Sequence, residues 1–147
     1  MNQNMDVRSQ QRFENFKKAL SLYSDAVRPK MSRLEEEGLI QRFEYTFELA
    51  WKCLQDLLQE RGYDNVRGPR PVIEQAFQDG LISDGPTWLK MLKARNESTH
   101  LYNEVFFADI IKKVKTSFLK TLKSFQTNFS EQKFIDHIDR VGIQLAP

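Results

Sequence analysis

One cysteine among 147 residues leaves no internal disulfide to hold a fold together. Cys53 falls within a helical apolar stripe, so it reads as a small buried hydrophobe rather than a nucleophile. Histidine is scarce as well, with only His100 and His137. Strand-like alternation of useful length is missing, and so are internal repeats and low-complexity segments. No apolar run reaches the length that crosses a bilayer, and Met1–Asp6 contains no apolar signal region, so a cytoplasmic protein is expected. Charge of one sign is also lacking: 22 Lys and Arg face 20 Asp and Glu, a formal balance of +2. That is too small to imply an overall basic nucleic-acid-binding surface, so any affinity for polyanions must come from a local cluster. No glycine is followed by Lys-Ser or Lys-Thr, which excludes a phosphate-binding P-loop.

What is present is apolar periodicity rich in aromatic residues: eleven Phe, four Tyr and two Trp in a chain that is 40% hydrophobic and 29% charged. The length is that of one domain able to bury a core unaided, and a single domain over residues 1–147 is expected, with its core at about 9–127. A first helix is predicted over about Ser9–Val27, from Phe13, Phe16, Leu20, Tyr23 and Val27 at three- and four-residue steps, with Pro29 behind it. The second, about Ser32–Arg61, has Ser32 as N-cap, Glu35, Glu36 and Glu37 near its positive end, and Gly62 as its stop. Its stripe is Leu39, Phe43, Phe47, Ala50, Trp51, Leu54, Leu57 and Leu58.

A loop around Gly68 and Pro69 leads to a short helix over about Pro71–Asp79, with Val72, Ile73, Ala76 and Phe77 inward and Gly80 ending it. Asp84 or Thr87 caps a fourth helix that carries Trp88, Leu89, Met91 and Leu92 and ends at Arg95. A fifth, about Asn103–Thr127, turns Val105, Phe106, Ile110, Ile111, Val114, Phe118, Leu119, Leu122 and Phe125 inward, and a short last helix spans about Glu131–Val141. The pattern is all-α: an antiparallel bundle with a four-helix up-and-down core and additional short helices.

Several charged groups invite chemical readings. Glu44 and Glu48 lie one turn apart beside the apolar stripe, where they could serve acid–base chemistry, a divalent ion, or a pairing with an arginine. The absence of a histidine or a second acidic pair on that helix favours the last. Arg67 and Arg70 in the loop, and Lys112, Lys113, Lys115, Lys120 and Lys123 on the fifth helix, read first as solvated charge and second as a guide for a polyanion. His137 reads as surface or packing.

The densest chemistry is in Arg95-Asn96-Glu97-Ser98-Thr99-His100-Leu101-Tyr102, between two helices. Arg95 brings a permanent charge and a planar fork of donors suited to phosphate oxygens, and His100 a side chain able to move protons near neutral pH. Together they point to phosphate chemistry. The same residues also admit a purely structural reading, in which Asn96 and Ser98 end a helix, His100 is a boundary histidine and Tyr102 belongs to the core.

Gln41-Arg42-Phe43-Glu44-Tyr45-Thr46-Phe47-Glu48-Leu49-Ala50-Trp51-Lys52 and Ala94-Arg95-Asn96-Glu97-Ser98-Thr99-His100-Leu101-Tyr102-Asn103-Glu104, in this order on long helices, resemble the HEPN-domain proteins. The likeness is to the branch of nucleotidyltransferase substrate-binding proteins, relatives of HepT-type toxins, and covers about Phe13–Phe125. It implies a homodimeric helical bundle that forms a complex with a cognate minimal nucleotidyltransferase. The signature Arg-x4-6-His maps onto Arg95 and His100, with Asn96 as the polar residue after the arginine. In toxin relatives that motif is a metal-independent ribonuclease site at the dimer interface, and the partner transfers AMP from ATP to a tyrosine matched here by Tyr102. The resemblance thus implies Arg95 and His100 as catalytic, Asn96 and Tyr102 as substrate-binding, and Tyr102 as the modified residue. It implies no cofactor of the chain's own, ATP and Mg2+ serving only the partner. Two other readings remain: a non-catalytic subunit that binds substrate or nucleotide for that partner, and a plain dimeric interaction module.

Overall fold

The computed structural model describes residues 3–142, and side chains from residue 7 onward. The first part of Met1–Asp6 and both ends of the expected domain therefore lie outside the described residues. Helix α1 (Gln3–Ala26) begins six residues before Ser9 and places Phe13, Phe16, Leu20 and Tyr23 in the core. Helix α2 (Arg33–Glu60) starts where its cap predicts: Ser32 Oγ accepts from the Glu35 amide at 3.1 Å, and Glu35 Oε1 accepts from the Ser32 amide at 2.8 Å. This reciprocal pairing satisfies two donors that a helix start leaves open. At the other end Gly62 takes φ 101°, the Gly62 amide donates to the Gln59 carbonyl and the Tyr63 amide to the Leu58 carbonyl. That is the left-handed closure glycine permits at little steric cost.

Helix α3 (Pro69–Gln78) opens on a proline, whose missing N–H costs nothing in a first turn. Val72, Ile73 and Ala76 are buried as expected, whereas Phe77 remains 49% exposed. Its ring lies over Gly85, where a Cβ would meet Phe77 Cγ at 2.8 Å. Phe77 therefore covers the start of the next helix instead of entering the core. Asp84 caps that helix, α4 (Gly85–Asn96), by accepting from the Thr87 amide at 3.1 Å.

The largest departure from the sequence reading is in the last third. The continuous fifth helix divides into α5 (Glu104–Lys115) and α6 (Ser117–Val141), and the expected interruption at Ser130 is absent. At Thr116 the backbone leaves the helical region (φ −124°, ψ −88°), and its hydroxyl donates to the Lys112 carbonyl at 2.7 Å. No proline or glycine marks the break. Ser130 instead donates to the Gln126 carbonyl at 3.0 Å and stays within the helix. On α5 the inward face is Phe107, Ile110, Ile111 and Val114; Val105, expected inside, is 82% exposed, and Phe106 is only partly covered. A break after Lys115 frees α5 to choose its own rotation, and the large Phe107 ring takes the inner place.

One apolar cluster draws on all six helices, from Phe13 to Phe129. Arg12 meets Asp56 and Tyr23 meets Phe43, the pairing of antiparallel neighbours in α1 and α2. Phe13 against Phe129 and Phe16 against Phe125 make α1 antiparallel to α6 as well. Phe43 stacks on Phe118 with ring centroids 5.0 Å apart, and the buried Tyr23 hydroxyl donates to the Val114 carbonyl. With α3 and α4 as the third pass and α5 and α6 as the fourth, the chain is an all-α antiparallel bundle, and no strand occurs among the described residues.

Candidate active site

Helix α4 delivers Arg95 and Asn96 in its last turn, and the chain then makes one 3-10 turn, Ser98–His100, before Asn103 caps α5 by accepting from the Phe106 amide at 3.1 Å. The motif thus occupies a tight corner between two capped helices. Arg33 ties the corner down from the start of α2. Its guanidinium donates to both Glu104 carboxylate oxygens at 3.0 and 2.8 Å and to the Leu101 carbonyl at 3.1 Å, and its Cζ lies 3.5 Å from the Phe107 ring centroid. One guanidinium nitrogen reaching both carboxylate oxygens, with the group lying over an aromatic face, ties an otherwise exposed turn to α2.

His100 is exposed, with its ring edge-on to Tyr102 at 6.2 Å and to Phe106 at 6.3 Å between centroids. Tyr102 is 78% exposed, so the reading that placed it in the core is excluded. Arg95 is half-buried. Its Nε lies 2.6 Å from Glu48 Oε1, and its Nη1 donates to Asn96 Oδ1 at 3.0 Å. The contact with Glu48 is one of charge rather than an aligned hydrogen bond, since Oε1 is enclosed without a donor directed at it. Glu48 Oε2 accepts from the Trp51 indole at 3.1 Å. The arginine partner anticipated for the Glu44/Glu48 pair is therefore Arg95.

Glu44, one turn earlier, faces the same corner. Burial lifts its carboxyl above the ordinary glutamate range, opposed by a hydrogen bond from Ser98 and the charge of Arg95 and reinforced by the charge of Glu48. Sequence reasoning saw the acidic pair but left it outside the site, because nothing in linear order links α2 to residue 95. Glu44 also lines a cleft of about 440 Å³ with Arg33, Glu37, Gln41, Ser98 and Tyr102. A separate cleft of about 320 Å³, lined by Asp84, Thr87, Trp88 and Lys120 among others, sits at the opposite end of α4 and contains none of the motif residues.

Other charged groups stay outside. Arg70 pairs with Glu74 on its own helix at 3.5 Å, Lys113 with Asp109 at 2.9 Å and Lys115 with Glu36 at 3.1 Å. His137 is exposed, and Cys53 is buried, its thiol pushed up to about 12 chiefly by that burial.

A family described as nucleotidyltransferase substrate binding protein like matches residues 11–131, which span α1 through the middle of α6 and include the whole corner. The chain belongs to that family. It is also similar to a probable ribonuclease HepT of Haemophilus influenzae, 30% identical over 71 residues that make up 46% of this chain and 49% of that protein. The chain thus spans about half the length of that relative. Among solved structures it resembles a protein of Thermus thermophilus, with 32% identity and a TM-score of 0.69 over 75% of this chain and 94% of that one. These likenesses bear out the HepT-like HEPN family that the two motifs suggested. No described helix is long and apolar enough to cross a membrane.

Proposed function

We propose that this family member is a HEPN-type ribonuclease toxin that cleaves RNA without a metal ion, and that a cognate minimal nucleotidyltransferase neutralises it by transferring AMP to Tyr102. The observation that carries the reading is the corner itself: an exposed imidazole and an exposed phenol on one braced turn, beside an arginine held at the end of α4. The family's link to nucleotidyltransferases and the HepT name of a relative support it.

RNA contains its own nucleophile. The 2′-hydroxyl attacks the adjacent phosphorus, the bond to the leaving 5′-oxygen breaks, and a 2′,3′-cyclic phosphate forms. The 2′ proton passes to a base, the 5′-oxygen takes a proton from an acid, and charge on the phosphorane needs stabilisation. His100 serves as one proton-transfer group, and the same histidine of a second protomer serves as the other across a twofold axis. Arg95 holds the phosphate oxygens, with Asn96 beside it. Leu34 and Val105, 80% and 82% exposed, flank the corner with Tyr102 and offer an apolar surface for the second copy. AMP on Tyr102 adds bulk and negative charge where RNA must enter, and so blocks it.

The deciding experiment is cleavage of a mixed cellular RNA pool by the purified protein in excess EDTA, alongside His100→Ala. Wild-type cleavage that disappears in the folded variant is expected; cleavage surviving in His100→Ala would end the assignment. For the modification, intact mass after incubation with a cognate nucleotidyltransferase, ATP and Mg2+ should rise by one AMP in wild type and stay unchanged in Tyr102→Phe. A second reading, a non-catalytic subunit that binds substrate or nucleotide, is favoured by the cleft beside Tyr102. It predicts no cleavage by wild type and loss of nucleotide binding on Arg95→Ala.

A further inference from the structure

The face of α2 towards the corner presents Glu44, Glu48 and Trp51 at helical spacing. Trp51 is nearly buried, with its ring packed in the core, so its indole N–H is a fixed point. It donates to one oxygen of Glu48, and the other oxygen lies against Arg95 Nε. Asn96 takes one Nη1 proton, while Nη2 donates no hydrogen bond among the described residues. The guanidinium is thereby held at Nε by Glu48 and at Nη1 by Asn96, which leaves Nη2 to meet an incoming anion.

We infer that Glu48 is a positioning residue for RNA cleavage, anchored by Trp51 and holding Arg95 so that its Nη2 edge meets the scissile phosphate. This rests on the ribonuclease reading above. Glu48 itself touches no substrate. An arginine has several rotatable bonds, and an unheld guanidinium would spend its time in many orientations. Stabilisation of a phosphorane requires donors already placed where charge develops. The clamp also has a cost: a carboxylate 2.6 Å from the cation weakens attraction for a ground-state phosphate. Glu48 therefore trades affinity for orientation, and removing it separates the two effects.

The test uses the full chain with Glu48→Ala, Glu48→Gln and Trp51→Phe, each checked for an intact fold by circular dichroism. In Glu48→Ala, kcat for an RNA oligonucleotide should fall about 10- to 100-fold, while KM stays equal or drops because the site gains positive charge. Glu48→Gln, which keeps an acceptor for Trp51, should fall between wild type and Glu48→Ala, and Trp51→Phe should show a smaller loss of kcat. The nuclear-magnetic-resonance order parameter of the Arg95 Nε–Hε bond, assigned by its absence in Arg95→Lys, should be high in wild type and low in Glu48→Ala. A purely structural ion pair would lower thermal stability without splitting kcat from KM. Wild-type kcat in Glu48→Ala, or an unchanged Arg95 order parameter, overturns the inference. If wild type cleaves no RNA, the ribonuclease reading fails by itself, and the order parameter still decides whether Glu48 holds Arg95. Should Glu48→Ala not fold, Glu48→Gln supplies both measurements.

Discussion

Single residues in the corner answer to their surroundings more than to their type. Glu44 and Glu48 are the same amino acid one turn apart, yet Glu48 meets Arg95 directly while Glu44 is held above the ordinary carboxylate range by burial. A carboxyl whose folded pKa exceeds its unfolded value favours folding while protonated, and that contribution is lost as pH rises through the folded pKa. Charged Glu44 therefore costs stability at neutral pH. Glu44→Gln should raise Tm by about 2 °C at pH 7, and the gain should close as pH falls towards about 4. Thermal melts of both proteins at the two pH values check this, and a variant less stable than wild type at pH 7 contradicts it. The sequence contained Arg95, Asn96, His100 and Tyr102 in plain view because they are consecutive or nearly so. It did not contain the exposure of Tyr102, since a tyrosine beside Leu101 and before an apolar helix fits a core or a surface equally well.

At the scale of the element, helix boundaries were legible wherever a local device sets them. The capping box at Ser32, the closure at Gly62 and the cap at Asp84 each depend on a few adjacent residues. The boundary at Thr116 depends on none, and the continuity through Ser130 is fixed by contacts from elsewhere: Lys133 donates to Ser9 Oγ at 3.0 Å, and Arg61 grips both Asp136 oxygens at 2.8 Å. The Arg61 hydrogen bonds, assisted by one from Gln132, keep the Asp136 carboxyl below the ordinary aspartate range. A depressed folded pKa means stability that is present above the unfolded value and lost as pH falls through the folded one. Asp136→Asn should thus cost about 1 kcal/mol at pH 7 by urea denaturation, a modest figure because the pair is partly solvated. The difference from wild type should shrink as pH drops below the ordinary aspartate value of 3.8. A loss that persisted undiminished in acid would assign the effect to packing instead.

For the whole molecule, the question is what the exposed apolar residues near the corner face. Leu34, Tyr102 and Val105 leave large side chains in solvent beside the corner. If a second copy covers them, wild type should scatter light as a particle of about twice 17.3 kDa. Leu34→Asp combined with Val105→Asp should then return a single-chain mass with unchanged helix content, and RNA cleavage should be lost with the dimer. By itself the sequence determined the helical periodicity, most caps and the chemical identity of the turn, because each is written in residues within a few positions of one another. Only the tertiary structure decided that Glu48 grips Arg95, that Arg33 braces the corner, that α5 breaks from α6 and that Tyr102 faces solvent. Those outcomes follow from which distant side chains meet once the core has closed, and close packing, not local spacing, selects the partners.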